Sequence, residues 1–415
     1  MEAQEIVKIA KEASYKLAQS SPESRNNFLK TLAEIIREDK TEILFQNSRD
    51  TKVAKKDKKP DSFIDRLTLS QKRIFAIADA LENIASLPDP IGNNIEERRL
   101  KSGIALKKVS CPLGLVCMIF EARPNVLLDA AALAIKSGNA LILKGGSDAD
   151  FSNKALLKFV KKSLKKAGLP EDSVILLEPD RELLKNVLSV KNGIDVAIPR
   201  GGKDLIEFVK ENSKAPIIET GASVVHAFVD EKVNLEKAVE VIRNSKVRRV
   251  SICNALDTLL VHEKIAKDFL PRLAESFSEK VEMRCDKEAA SYLKDFDIKE
   301  VEEADYDREF LSFILNIKVV KDIDEAIAHI RKHSLHHTES IVSENKENIN
   351  KFFKEVDSAC VFANISTQFA DGGEFEIGAE IGISTQKTHA RGPFALEGLT
   401  SYKWILEGDG QTRDS

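Results

Sequence analysis

Cys253 stands in the run Ser251-Ile252-Cys253-Asn254-Ala255, after the basic stretch Lys246-Val247-Arg248-Arg249 and before the apolar run 258–261. Cations close to a thiol lower its pKa and raise the fraction of thiolate, the form that attacks a carbonyl carbon. By itself the pattern also fits the commoner case of a buried, inert cysteine beside a strand. With Cys111, Cys117, Cys285 and Cys360 the chain has five cysteines, an odd number with no CxxC spacing. Neither a disulfide framework nor a structural zinc site is indicated, so all five read as free thiols.

Two strand ends run into glycine pairs, Lys144-Gly145-Gly146-Ser147 and Arg200-Gly201-Gly202-Lys203. A strand, then glycines, then a helix aims backbone N–H groups and a helix N-terminus at a phosphate, with Lys144, Arg200 or Lys203 adding charge. Tight turns with solvated lysines give the same pattern. There is no G-x-G-x-x-G and no G-x-x-x-x-G-K-[ST], so a dinucleotide would be bound another way. His329 and His333 are four apart on an apparent helix, followed by His336-His337, yet no carboxylate completes an obvious ligand set. These read as a histidine-rich helix end, and no metal is expected. From Asn364 to Pro393 the chain is polar and glycine-dense with recurring apolar residues. That texture suits a functional loop presenting Ser, Thr, Lys, His and Arg to an anion better than a flexible linker.

The elements that must position these residues alternate in type. A chain of 415 residues exceeds a single ordinary core, so two or three domains are expected. Helical spacing runs from Gln4 to Phe45, broken at Ser20-Ser21-Pro22-Glu23, with Ser21 as N-cap and Pro22 at the first helical position. Charged residues crowd 51–59, and another helix is predicted over 70–87. The segment 98–108 alternates like a hairpin. Short β-rich runs at 114–120, 140–143, 174–177, 195–198 and 215–218 alternate with helical stretches, which describes crossover units on a parallel sheet. A second set begins at 224–229 and continues through a helix at 235–244 and apolar runs at 258–261 and 313–320. The net charge of -4 argues against a nucleic-acid or membrane platform. No apolar run approaches the ~20 residues of a membrane span, and the amino terminus lacks the features of a signal peptide, so the expected location is the cytoplasm.

Several strings occur in order: Ile119-Phe120-Glu121-Ala122-Arg123-Pro124-Asn125-Val126, Lys136-Ser137-Gly138-Asn139-Ala140, Ile198-Pro199-Arg200-Gly201-Gly202-Lys203, Cys253-Asn254-Ala255, His336-His337-Thr338-Glu339 and the tail. Together they resemble the gamma-glutamyl phosphate reductase family of proline biosynthesis, within the aldehyde dehydrogenase superfamily. The departures are local. Arg248-Arg249-Val250 stands where the family usually has Gln-Arg-Pro, Asp257 where Glu is usual, and Gln368 where relatives often carry Arg.

The resemblance implies an aldehyde dehydrogenase-like α/β fold of two parallel-sheet domains plus a small β oligomerisation flap. Residues 1–92 and 111–229 would form the NADP-binding domain, 230–385 the catalytic domain, and 93–110 with 386–415 the flap. It further implies that Cys253 attacks the acyl carbon of L-glutamyl 5-phosphate, with Asn125 and the Cys253 N–H holding the oxyanion. Phosphate leaves, NADPH delivers hydride to the thioester, and glutamate 5-semialdehyde is released. Glu219 falls where the superfamily has its hydrolytic base, which this reaction does not need. Lys144, Gly145, Gly146, Ser147, Arg200, Gly201, Gly202, Lys203 and Glu309 would hold the cofactor. Arg123, Asn364, Ser366, His389 and Arg391 would hold the substrate. A homo-oligomer and delivery of the labile acyl phosphate by a glutamate 5-kinase are the expected partnerships. Two other readings remain open: a non-phosphorylating aldehyde dehydrogenase, and a catalytically silent binding protein on the same fold.

Overall fold

Ser21 begins the second helix as the sequence predicts, its side chain accepting a hydrogen bond from the Ser24 N–H with Pro22 in the first turn. In this computed structural model, which describes residues 2–277 and 281–413, that helix is α2 (Pro22–Glu38). It follows α1 (Ala3–Ala18), which buries Ile6, Ala10, Ala13 and Leu17 along one stripe. The charged stretch after Phe45 belongs to a third helix, α3 (Lys40–Lys56). The pattern hides it because its buried face carries Asn47 and Asp50 beside Ile43 and Ala54. Asp50 accepts from the Ser152 N–H at 2.8 Å and the Phe151 N–H at 3.2 Å, capping a helix about a hundred residues away. Helices α4 (Asp61–Leu67) and α5 (Gln71–Ser86) complete this layer.

The predicted hairpin is β1 (Asn94–Arg99) against β2 (Ala105–Pro112), and β2 also pairs with the last strand of the chain. A four-stranded parallel sheet follows: β3 (Leu115–Phe120), β4 (Ala140–Lys144), β5 (Val174–Leu176) and β6 (Val196–Arg200), in the order β5-β4-β3-β6. The helices α6 (Asn125–Lys136), α7 (Asp150–Lys166), α8 (Arg181–Ser189) and α9 (Lys203–Asn212) cross over between and after these strands. Near-continuous apolar strands with helices on both faces are what a parallel sheet requires. The run at 215–218 forms no strand among the described residues. It makes one bridge, Ile217 to Ala197.

The second sheet has the order β10-β9-β11-β8-β7-β12-β13 and is parallel throughout. Its strands are β7 (His226–Val229), β8 (Thr258–His262), β9 (Glu282–Cys285), β10 (Ile298–Glu300), β11 (Ile314–Val320), β12 (Thr338–Val342) and β13 (Cys360–Ala363). Helices α10 (Leu235–Val247), α11 (Glu263–Ser276), α12 (Lys287–Tyr292), α13 (Ile323–His333) and α14 (Lys346–Glu355) flank it. Because β7 is bonded to β8 and β12, it belongs to this sheet and not to the first, so the expected boundary at 229 falls too late. The tail forms a small antiparallel pair, β14 (Gly382–Ser384) with β15 (Gly392–Phe394), and Ile381, Ala390 and Phe394 pack into the first core. It ends in β16 (Thr400–Glu407), the third strand of the flap. Among the described residues no helix is long and apolar enough to cross a membrane.

The string Lys136-Ser137-Gly138-Asn139 ties these layers together. The buried Lys136 Nζ donates to Asn26 Oδ1 at 2.6 Å and to the carbonyls of Ala85 and Leu87 at 3.1 and 2.8 Å. Gly138 has a φ of +72°, and a Cβ there would lie 2.6 Å from Ile91 Cδ1. The fully buried Asn139 side chain accepts from the Gly114 N–H at 2.7 Å and donates to the Leu399 carbonyl at 2.8 Å. It therefore joins the start of β3 to the tail. Asn139→Ala strands both backbone groups, and stability is expected to fall by about 3 kcal/mol, read as a lower thermal unfolding midpoint by circular dichroism.

Candidate active site

Cys253 lies in the turn between α10 and β8, and that turn is held from several sides. Lys246, at the end of α10, points inward, and its Nζ donates to the Leu256 carbonyl at 2.7 Å. Burial pushes its pKa down to about 8 and that of the neighbouring Asp257 up to about 6, and each group's charge favours the ionised form of the other. Asp257 accepts from the Val225 N–H at 3.2 Å and the Phe310 N–H at 3.1 Å. From the tail, Gln368 donates to the carbonyls of Ser245 at 2.9 Å and Asn244 at 3.2 Å. Thr367 Oγ1 donates to the Asn254 carbonyl at 2.7 Å, and the Asn254 amide donates to Ala370 at 3.0 Å. Ser223 Oγ donates to the Cys253 carbonyl and lies 3.0 Å from Glu309 Oε1.

Arg248 and Arg249 do not set the state of the thiol as their sequence proximity suggests. Burial pushes the Cys253 thiol up to about 12, and the carboxylates of Glu380 and Glu309 add to this while Arg200 opposes it. Arg248 instead turns to Gln368 Oε1 at 3.3 Å. Arg200, expected among the cofactor phosphates, donates from Nη1 to the Ile381 carbonyl and acts on Cys253, Glu380 and Asp129. Arg123 lies in the same field. Burial and the cations Arg200, Arg66 and Arg249 lower its pKa, and the Cys253 thiol raises it. No hydrogen bond engages the Arg123 guanidinium among the described residues. Such a guanidinium among cations is chemically suited to an anion.

The two glycine pairs follow β4 and β6, on either side of β3 and of Glu121 just after it. A Cβ on Gly145 would lie 2.3 Å from Asn153 Nδ2, and one on Gly201 2.7 Å from Glu121 Cδ. Gly202 differs, since a Cβ there meets nothing within 4 Å. Its φ is -67°, which any residue adopts. The N-terminus of α9 is thus left open to the close approach of a phosphate. Gly146 backs onto the Glu121 backbone, and Ser147 is exposed at the start of a short 3-10 turn. Lys144 has no hydrogen-bond partner among the described residues, and burial with Arg181 lowers its pKa. The Lys203 side chain lies outside the described residues. Burial raises Glu309 to about 7. Free N–H groups, an unpaired lysine and an open glycine fit a dinucleotide.

Other predicted residues are engaged elsewhere. Glu219 binds Lys210 at 3.0 Å and Gln386 Nε2 at 2.9 Å. The Asn125 amide donates to Asp129 at 2.9 Å, within its own helix. Asn364 adopts a φ of 61° and brackets Ser343, accepting from its N–H at 2.8 Å and donating to its carbonyl at 2.9 Å. Ser366 caps a 3-10 turn and bonds Ser245 at 3.2 Å. With Arg248 and Gln368 these two residues line a cavity of about 410 Å³ beside the nucleophile turn. His389 reaches the Gly398 carbonyl at 3.2 Å, and Arg391 is paired with Asp357 at 2.9 Å. The string His337-Thr338-Glu339 is structural: Glu339 is fully buried and takes the His226 N–H at 2.9 Å, clamping β12 to β7. Among the described residues no three or more His, Cys, Asp or Glu side chains are disposed to hold a metal ion. Sequence reasoning passed over Ser223 and Glu380. The one signal for Glu380 is a carboxylate set among small residues in Gly378-Ala379-Glu380-Ile381-Gly382.

Comparison with known proteins adds to this geometry. Residues 1–291 match the aldehyde dehydrogenase family. A gamma-glutamyl phosphate reductase of Caldanaerobacter subterraneus is 47% identical, with both chains covered over their full length. One from Legionella pneumophila is 44% identical over 98% of each chain. The crystal structure of the Thermotoga maritima gamma-glutamyl phosphate reductase superposes over all of both chains with a TM-score of 0.97 at 42% identity.

A thiol held this high is protonated at neutral pH. Alkylation of Cys253 by iodoacetamide in the ligand-free protein is expected to rise about tenfold per pH unit from about pH 7 to about pH 10 without levelling. A plateau near pH 8, read by mass spectrometry of the alkylated peptide, would contradict the electrostatics described.

Proposed function

The chain belongs to the gamma-glutamyl phosphate reductase family of the aldehyde dehydrogenases, and from that premise we propose that Cys253 accepts the acyl group of L-glutamyl 5-phosphate as a thioester. Phosphate departs, and the acyl group leaves as glutamate 5-semialdehyde. The observation that carries this over a hydrolysing aldehyde dehydrogenase is the Glu219 carboxylate, committed to Lys210 and Gln386. The carboxylate at the superfamily's hydrolytic position is thus not free to activate water against the thioester, which favours reduction over hydrolysis.

The residues divide the work by charge. Arg123, with Arg249 near it, takes the phosphoryl group, because a free guanidinium matches its oxygens bidentately. Arg391, already paired with Asp357, is the weaker candidate. The second N–H of the Asn125 amide and the Cys253 N–H are the donors for the oxyanion. Ser223 fixes the Cys253 carbonyl and with it the direction of the nucleophile's peptide. A nicotinamide cofactor, NADPH in this reading, supplies the hydride. Gly202 and the first turn of α9 receive its phosphates, Lys144 its ribose phosphate, and Glu309 its nicotinamide ribose.

The flap suits assembly. Strand β16 has an unpaired edge and exposes Tyr402, Trp404, Ile405 and Leu406, a liability unless a second copy of the chain covers it. A homo-oligomer working in the cytoplasm, where five free thiols stay reduced, is the assembly proposed. Delivery of the acyl phosphate by a glutamate 5-kinase is compatible with it.

The test is oxidation of glutamate 5-semialdehyde with NADP in the reverse direction. Turnover is expected to require phosphate and to vanish in Cys253→Ala, while Glu219→Gln retains it. Arg123→Ala is expected to raise the KM for phosphate roughly tenfold or more, the scale of a lost charge-assisted hydrogen bond. Oxidation at full rate without phosphate would favour the hydrolytic reading.

A further inference from the structure

A cysteine that must attack as thiolate needs somewhere to put its proton, and this thiol is held high by its surroundings. Glu219 is engaged elsewhere, and Glu309 is bound to Ser223. The tail carries a third carboxylate whose charge acts on the sulfur. Glu380 is fixed by one oxygen, Oε2, which accepts from the Gly372 N–H at 2.9 Å, and no partner engages Oε1 among the described residues. Both chain segments flanking it are pinned to the nucleophile turn or its surroundings. On one side Ala370 accepts from the Asn254 amide at 3.0 Å. On the other, the Ile381 carbonyl takes Arg200, Gly382 passes so close to Thr220 that a Cβ would sit 2.6 Å from its Cγ2, and Ile383 packs in the cluster that holds Cys253 and Cys360. The turn is shaped for this: a Cβ on Gly372 would lie 2.9 Å from Glu380 Cβ.

We propose that Glu380 is the proton acceptor and donor for Cys253. The inference rests on the thioester reading above. The S–H proton moves to the Glu380 carboxylate, and the thiolate forms the C–S bond to the acyl carbon. As the C–O bond to phosphate breaks, the departing phosphate takes that proton from Glu380 and leaves as hydrogen phosphate. After reduction, the C–S bond breaks, the aldehyde is released, and the thiolate recovers a proton from solvent through Glu380. Glu309, Arg200, Arg123, Asp371 and the Cys360 thiol are the titratable or charged groups around this pair. Arg200 acts on both partners and can hold the charge in either position.

The test compares Glu380→Gln with the parent in two assays. Alkylation of Cys253 by iodoacetamide in the ligand-free protein is expected to be as fast as in the parent or faster, since a repelling carboxylate is gone. Phosphate- and NADP-dependent turnover is expected to fall about a hundredfold in kcat with KM little changed, the usual scale for a lost proton-transfer group. Turnover within threefold of the parent, or alkylation and turnover falling together, overturns the assignment. Absence of phosphate-dependent turnover in the parent itself would instead count against the thioester reading. If Glu380→Gln does not fold, Glu380→Asp decides. It keeps the acid and is expected to hold at least a tenth of the parent kcat with a shifted pH profile. A rate at background in a folded Glu380→Asp means the carboxyl is not what the thiol needs.

Discussion

The buried aspartate beneath the nucleophile turn governs the rest of the site. Asp257 binds backbone N–H groups on two segments that are not adjacent in sequence, Val225 at the entrance to β7 and Phe310 beside Glu309. Ser223 precedes the first and Glu309 the second, so one carboxylate sets the spacing between the groups that meet at the Cys253 carbonyl. A carboxylate this buried would ordinarily neutralise itself. Lys246 opposes that, and with one group near 6 and the other near 8 both stay ionised at neutral pH. The charge costs desolvation energy, offset by two amide donors and a facing ammonium. A neutral side chain in place of Asp257 would release Val225 and Phe310 together, and the site would loosen on both sides of the sulfur.

The second constraint runs in the opposite direction from the usual picture of a reactive cysteine. Burial, with the carboxylates of Glu380 and Glu309, holds the thiol high against the opposing charge of Arg200, so the resting sulfur is protonated. This quiets it against alkylating and oxidising agents, because the thiolate is the reactive form. Reactivity must then arrive with the substrate. In the proposed mechanism the bound acyl phosphate presents the carbon to be attacked and excludes water, and Glu380, whose Oε1 has no partner among the described residues, takes the proton. Resting stability and catalytic competence are thereby separated in time on one residue.

Much of the scaffold was legible because local rules dictate it. Ser21-Pro22 reads as a helix start, apolar runs between glycines read as parallel strands, and the alternation at 98–108 reads as a hairpin. What was not legible depends on partners far away in the chain. Helix α3 is hidden because Asn47 and Asp50 stand on its inner face, sensible only once Asp50 is seen capping α7. The stretch 215–218 has strand composition, yet β6 offers it a single bridge. Arg248 and Arg249 are the nearest cations to Cys253 in sequence, but a turn can point neighbours apart, and the cation that reaches the thiol is Arg200, some fifty residues upstream at the end of β6. Asn364 and Ser366 carry polar chemistry suited to substrate, and the fold spends it on Ser343 and Ser245.

The local departures from the family pattern become intelligible as a pair. The family resemblance sets Gln opposite Arg248 and, in relatives that often carry it, Arg opposite Gln368. This chain has Arg248 and Gln368, and Arg248 Nη1 lies 3.3 Å from Gln368 Oε1. In this chain a guanidinium and an amide therefore meet between the nucleophile turn and the tail. Gln368 also donates to the carbonyls of Asn244 and Ser245 in the last turn of α10. Arg248 also lines the cavity shared by Asn364 and Ser366. Positive charge thus lies on the nucleophile-turn side of this contact, while the tail contributes an uncharged amide that holds the end of α10.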